Sequence, residues 1–221
     1  MNKIAIRKLK KRLSIVKHGP RRLYADMQTL KNEYLIKKKK TEWPLNSLFE
    51  IIWIDPADVI GTMRENVEMR YRGRRLPGDW DGSVIPIEDT VDYYVLYNRF
   101  IKGKDWEQIL SDYQNEIGSL RYDYINKVLR LADARDELFR DMKRSGWKLS
   151  DSLGCSYLMT DELNINIARD GAFIRNHSAM HRLIISRFIG LKRVPCRIHV
   201  VHSDFNASIS DVTYSSSTET R

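Results

Sequence analysis

Cysteine is nearly absent. The chain has two in 221 residues, Cys155 and Cys196, too few and too far apart in sequence for a disulfide-stapled scaffold or a zinc knuckle. Long apolar runs are missing too, since no stretch of ~18 apolar residues offers a membrane-spanning helix. The opening MNKIAIRKLKKRL has no apolar block ahead of a small-residue cleavage site, so it does not read as a secretory signal. These absences predict a cytoplasmic protein with free thiols. Several chemistry-bearing motifs are also missing. There is no Gly-rich loop ending in Lys-Ser/Thr, no Gly-x-Gly-x-x-Gly, no His-Glu-x-x-His and no Gly-x-Ser-x-Gly. That removes the strongest sequence routes to P-loop enzymes, dinucleotide enzymes, zincins and serine hydrolases.

What is present is a globular composition, 42 % hydrophobic and 30 % charged, with a net charge of +9. The charge is not spread evenly. Residues 1–43 hold fourteen Lys and Arg against Asp26, Glu33 and Glu42, a balance of +11, which leaves the remaining chain at −2. A nearly neutral domain with a basic arm points to an arm that meets nucleic acid nonspecifically or an anionic surface.

Apolar spacing predicts two helices in the arm, over 4–17 and 23–36, parted at Gly19-Pro20. Ser47 to Ile54 reads as a strand stopped by Asp55-Pro56, and Ala57 to Met63 as a short helical turn. Arg64 to Pro86 reads as a long loop. A helical insertion over 87–146 follows, with helices over Glu88–Ile101, Asp105–Ile117 and Tyr122–Arg144. The last third reads strand, turn, strand, helix, strand. Leu163 to Ala168 alternates, Asp170-Gly171 makes a hairpin turn, Ser178 is the expected helix N-cap, Ala179 to Ile189 is helical, and Val194 to Val201 is a strand. Residues 206–221 form a Ser/Thr-rich tail expected to be disordered. The expected class is α+β: a small mixed sheet in a domain over 43–205, with a basic helical arm over 1–42.

The hairpin feeds the N-terminus of an apolar helix that carries His181 and Arg182 in its first turn. Free N–H groups and the positive dipole end suit an anion there. An Arg can clamp phosphate and an imidazole can donate to it. Equally, the two can be ordinary first-turn polar residues. Asp79 and Asp81 flank Trp80 in the long segment, and Asp55 follows the first strand. They either serve Mg²⁺ or an acceptor hydroxyl, or form turns around a core Trp80. Arg70 to Arg75 is a second basic cluster. Four of the five histidines lie between 177 and 202. His199 and His202 sit three apart on a strand and so face opposite sides, which makes a metal site unexpected.

The segment over 164–202 resembles the ParB/sulfiredoxin-like fold, with a strand, a hairpin turn, a helix beginning His-Arg and a strand beginning Val-Pro-x-Arg. More narrowly the chain resembles a group of prokaryotic ParB-like proteins, those with a ParB-like nuclease domain. The carrying motifs are Trp53-Ile54-Asp55-Pro56, Gly78-Asp79-Trp80-Asp81, Arg99-Phe100 through Trp106-Glu107, and His181-Arg182-Leu183. The resemblance implies nucleotide binding, ATP or CTP with Mg²⁺, at Ser178, Ala179, Met180, His181 and Arg182. It implies phosphoryl transfer by an NTPase or small-molecule kinase, with Asp79, Asp81 or Asp55 as carboxylates. The departure is Ser178-Ala179-Met180, where the superfamily often has Asp-Gly-x. Met180 takes the place of sulfiredoxin's catalytic cysteine, which excludes that chemistry. The alternative is a non-catalytic nucleic-acid or protein-binding module that works through the basic arm.

Overall fold

A computed structural model describes residues 20–149 and 162–208. The first arm helix, Cys155 and the tail beyond residue 208 lie outside them. The fold is α+β, built on a mixed seven-stranded sheet. Helix α1 (Pro20–Lys37) leads to β1 (Ile52–Ile54), β2 (Val59–Met63), β3 (Arg74–Leu76) and β4 (Val84–Pro86). Helices α2 (Val91–Phe100), α3 (Trp106–Glu116), α4 (Tyr122–Arg130) and α5 (Ala132–Ser145) follow. Then come β5 (Leu163–Ile167), β6 (Phe173–Arg175), α6 (Met180–Phe188) and β7 (Val194–His202). The sheet order is β1-β7-β5-β6-β2-β4, with β3 also paired to β7. Strand β5 runs parallel to β7 and antiparallel to β6, and β2 runs parallel to β6.

Alternation in β5 sends Leu163, Ile165 and Ile167 to one face and Asn164 and Asn166 to the other. Both faces are covered, so all five residues are buried. On the apolar side Leu163, Ile165, Ile167, Cys196 and Ile198 join Val95, Ile109, Leu110, Val128, Leu183 and Ile184 in the main core. Burial pushes the Cys196 thiol well above its usual range, as befits a packing group. The opposite face is covered by the segment after β2 and by α1. There Arg72 is wholly buried and its Nη2 donates to Asn164 Oδ1. From α1, Asn32 Nδ2 donates to the Arg72 carbonyl at 2.7 Å, and Glu33 accepts from the Leu48 N–H at 2.7 Å and the Ser47 hydroxyl at 2.8 Å.

Several expectations change. The expected loop over Arg64–Pro86 contains two strands and two 3-10 turns, at Met69–Tyr71 and Trp80–Gly82. Only Pro56–Asp58 forms a turn where 57–63 was expected to, and the rest is β2. The first strand shortens to three residues. The expected helix over 122–144 breaks at Leu131, whose ψ of 11° leaves the helical region. Gly61 is required by packing, because a Cβ there would strike Val84 and the Ile85 carbonyl of β4.

Candidate functional site

The chain leaves β6 at the buried Asn176 and reaches α6 through two residues in the left-handed region, Ser178 (φ 66°) and Ala179 (φ 52°). Each non-glycine residue held there costs ~1–2 kcal/mol, so the surroundings must impose the turn. Arg175 does so from one side, with Nε donating to the Ser178 carbonyl and Nη1 to Thr62 Oγ1, both at 2.8 Å. Burial lowers its pKa to about 10, against the opposing charge of Asp92. From the other side Ser178 Oγ donates to the Glu162 carbonyl at 2.6 Å and accepts from Asn164 Nδ2 at 2.9 Å. Ser178 is therefore not the helix cap. Ala179 holds that position, and no side chain caps α6.

Met180, His181 and Arg182 make the first turn of α6, as expected. His181 Nε2 lies 3.5 Å from Asp92 Oδ1, which also accepts from the Tyr124 hydroxyl at 2.9 Å. Burial works to raise the Asp92 pKa. The hydrogen bond and charge of His181, with help from Tyr124 and Arg135, overcome it and hold the carboxyl down at about 2. Burial and the Asp92 charge push the Tyr124 phenol above its usual range. The Arg182 guanidinium sits 4.7 Å over the Trp147 ring and 3.7 Å from Glu162 Oε2. Met180 and Ala179 pack their side chains against the main core.

The loop after β2 is fastened to this junction. Asn176 accepts from the Val67 N–H at 2.7 Å and donates to the Val67 carbonyl at 3.0 Å. His199 Nε2 is 3.0 Å from the same carbonyl, and His177 Nε2 is 2.7 Å from Met69 Sδ. Burial first, then the charges of Arg72 and Arg175, lower the His177 pKa to about 4. A cleft of about 600 Å³ opens beside the loop, lined by Arg64, Glu65, Glu68, Tyr71, Asp79 and Trp80 among others. No family model, curated protein or solved structure matches the chain.

The structure places the expected carboxylates away from the junction. Asp79 and Asp81 are gathered by Arg169, at the far end of β5 from Glu162 and its partner Arg182. The five residues of β5 lie between those ends, which are seven positions apart, roughly 20 Å. Asp55 caps the turn Pro56–Asp58 by accepting from the Ala57 N–H at 2.8 Å. Of the three, Asp79 alone lines the cleft. The residues joined to the junction that sequence reasoning passed over are Arg175, Asn176, Asp92 and Tyr124. Arg175 and Asn176 were within reach, since they immediately precede the turn. Asp92 and Tyr124 arrive from other helices and leave no local signal.

Proposed function

We propose that the protein binds a nucleoside triphosphate, ATP or CTP with Mg²⁺, at the β6–α6 junction and acts in phosphoryl transfer as an NTPase or small-molecule kinase. The observation that carries this reading is the enforced left-handed pair Ser178-Ala179 ahead of an α6 whose first turn bears His181 and Arg182 and has no side-chain cap. The N-terminal end of a helix suits phosphate oxygens. Arg182 supplies a fork for one phosphate, and His181 a donor for another. The resemblance to ParB/sulfiredoxin-like proteins agrees with this use. Glu65 and Glu68, on the loop that Asn176 fastens, are better placed than Asp81 to hold Mg²⁺ or to orient an acceptor, with Asp79 on the cleft wall.

Calorimetric titration of the whole chain with ATP or CTP, with and without Mg²⁺, tests this. One-to-one saturable binding that Arg182→Ala weakens at least about tenfold is expected. Absence of binding for both nucleotides at millimolar concentration overturns it. The second reading is a binding module without turnover. It is favoured by the partners that Arg182 and His181 already have in Glu162, Trp147 and Asp92.

A further inference from the structure

Helix α1 is turned inside out. Its buried residues are mostly polar: Thr29, Asn32 and Glu33, with Ile36. Its exposed residues include Tyr24, Met27, Leu30 and Tyr34, each more than half exposed. Successive helical residues turn by ~100°, so these two sets occupy roughly opposite faces. Asn32 and Glu33 are explained by their bonds to Arg72, Ser47 and Leu48. The apolar stripe has no such partners among the described residues. An apolar stripe of three turns on a helix already fixed by its other face is an interaction surface.

The charge around it selects the occupant. Residues 1–43 carry +11, and residues 1–19, which lead into α1, hold seven Lys and Arg with no acid. Lys37 ends the helix and Lys38 to Lys40 follow it. A second copy of this chain would bring the same excess positive charge against itself. A nucleic acid would satisfy the charge, yet such interfaces are polar and would gain little from Met27 and Leu30. An anionic bilayer satisfies both. Its headgroups attract the Lys and Arg, its acyl boundary receives Met27 and Leu30, and tyrosines prefer the interface between the two. No helix among the described residues is long and apolar enough to cross a membrane, so the contact is peripheral.

We infer that α1, through Tyr24, Met27, Leu30 and Tyr34, docks the protein on an anionic lipid surface, with the basic arm as its electrostatic partner. Flotation of the whole chain with vesicles of phosphatidylcholine mixed with phosphatidylglycerol, against phosphatidylcholine alone, tests this. Binding to the mixed vesicles only, weakened by salt and at least about tenfold by Met27→Glu with Leu30→Glu, is expected. Both sites are exposed, and an unchanged melting curve verifies the fold. Tyr34→Ser, a milder change, should weaken binding in the same direction. Three outcomes overturn the proposal. One is no binding to the mixed vesicles at low salt. Another is binding that none of these substitutions alters, which would leave the charge alone responsible. The third is a different occupant, seen either as a wild-type dimer in sedimentation that Met27→Glu with Leu30→Glu dissolves or as capture of single-stranded DNA by a protein that ignores the vesicles.

Discussion

Arg169 grips Asp81 twice, through its backbone N–H 3.0 Å from Oδ2 and through its guanidinium, whose Nη2 is 2.7 Å from Oδ1. The same guanidinium reaches Asp79 at 2.8 Å. The Asp81 side chain is only 4 % exposed, so this pair pins the 3-10 turn at Trp80 to the β5–β6 hairpin. The Arg169 hydrogen bond holds the Asp81 pKa at about 2, against the effect of burial. A carboxyl depressed in the folded state lends stability above its unfolded pKa of ~3.9, and that contribution is lost as pH falls toward the folded value. Asp81→Asn should therefore lower the melting temperature by several degrees at neutral pH and flatten its fall between pH 4 and pH 2. Nucleotide affinity should not change. A wild-type melting curve with a tenfold loss of Mg²⁺-nucleotide binding would instead make Asp81 a functional carboxylate.

Asp92 holds three elements together, α2 that carries it, α4 through Tyr124 and α6 through His181. Removing its charge leaves Arg135, itself 4 % exposed, without a nearby compensating charge. Asp92→Asn should cost ~2–4 kcal/mol in urea unfolding at pH 7. Because the folded pKa is about 2, the difference from wild type should vanish as pH falls from about 4 toward 2. A loss that persists undiminished at pH 2 would mean that packing, not charge, is what the substitution removes.

Asn176 replaces a rung of sheet with its own amide, since it both accepts from and donates to the Val67 backbone. Asn176→Ala leaves the Val67 N–H unpaired and its carbonyl with His199 alone, and should cost ~1–3 kcal/mol. Loop opening should precede global unfolding. Hydrogen exchange at Val67 is the direct readout, and it should accelerate well beyond that of Ile165 or Ile198. Equal acceleration at all three would show the loop to be part of one global unit.

How far the sequence foretold this arrangement depends on the range of each interaction. The hairpin at Asp170-Gly171 was legible because a positive φ, here 90° at Gly171, is a local demand that glycine meets. The helices over 91–116 and 180–188 were legible from their apolar spacing, and β7 from the β-branched Val194, Ile198, Val200 and Val201. Strands β3 and β4 were not, because three residues cannot display alternation and Arg74 finds its partner Val200 far along the chain. The β-branched Val59, Ile60 and Thr62 did carry a strand signal, which the preceding Pro56 obscured. Arg72 shows the limit most plainly. In sequence it is one of several arginines in a basic cluster, and only the fold buries it while Arg74 stays exposed.

His177 is held neutral by burial and by the Arg72 and Arg175 charges, with a pKa of about 4. A base depressed in the folded state favours unfolding once the unfolded chain takes up its proton. Stability should therefore fall as pH drops from about 6.5 to about 4, above the window in which Asp81 and Asp92 act. Acid unfolding should show two stages, and His177→Gln should remove part of the upper one. An unchanged slope between pH 6.5 and pH 4 would transfer that stage to His199, which burial, Arg72 and His177 also depress.

Ala179 is the most economical test of the turn. At φ 52° an alanine is strained, and glycine adopts that region freely. Ala179→Gly should raise stability by ~0.5–1 kcal/mol, because the relieved strain exceeds the added freedom of the unfolded chain. Ala179→Val should lower it by more than 1 kcal/mol, since a β-branched side chain fits that region worst. The Ala179 side chain also packs on the core, so Gly loses a contact there. The two effects separate in urea unfolding of Ala179→Gly and Ala179→Val together. If both variants are less stable by similar amounts, packing governs the site. A gain for Gly with a loss for Val identifies the backbone as strained, held so by Arg175, Asn164 and the Glu162 carbonyl.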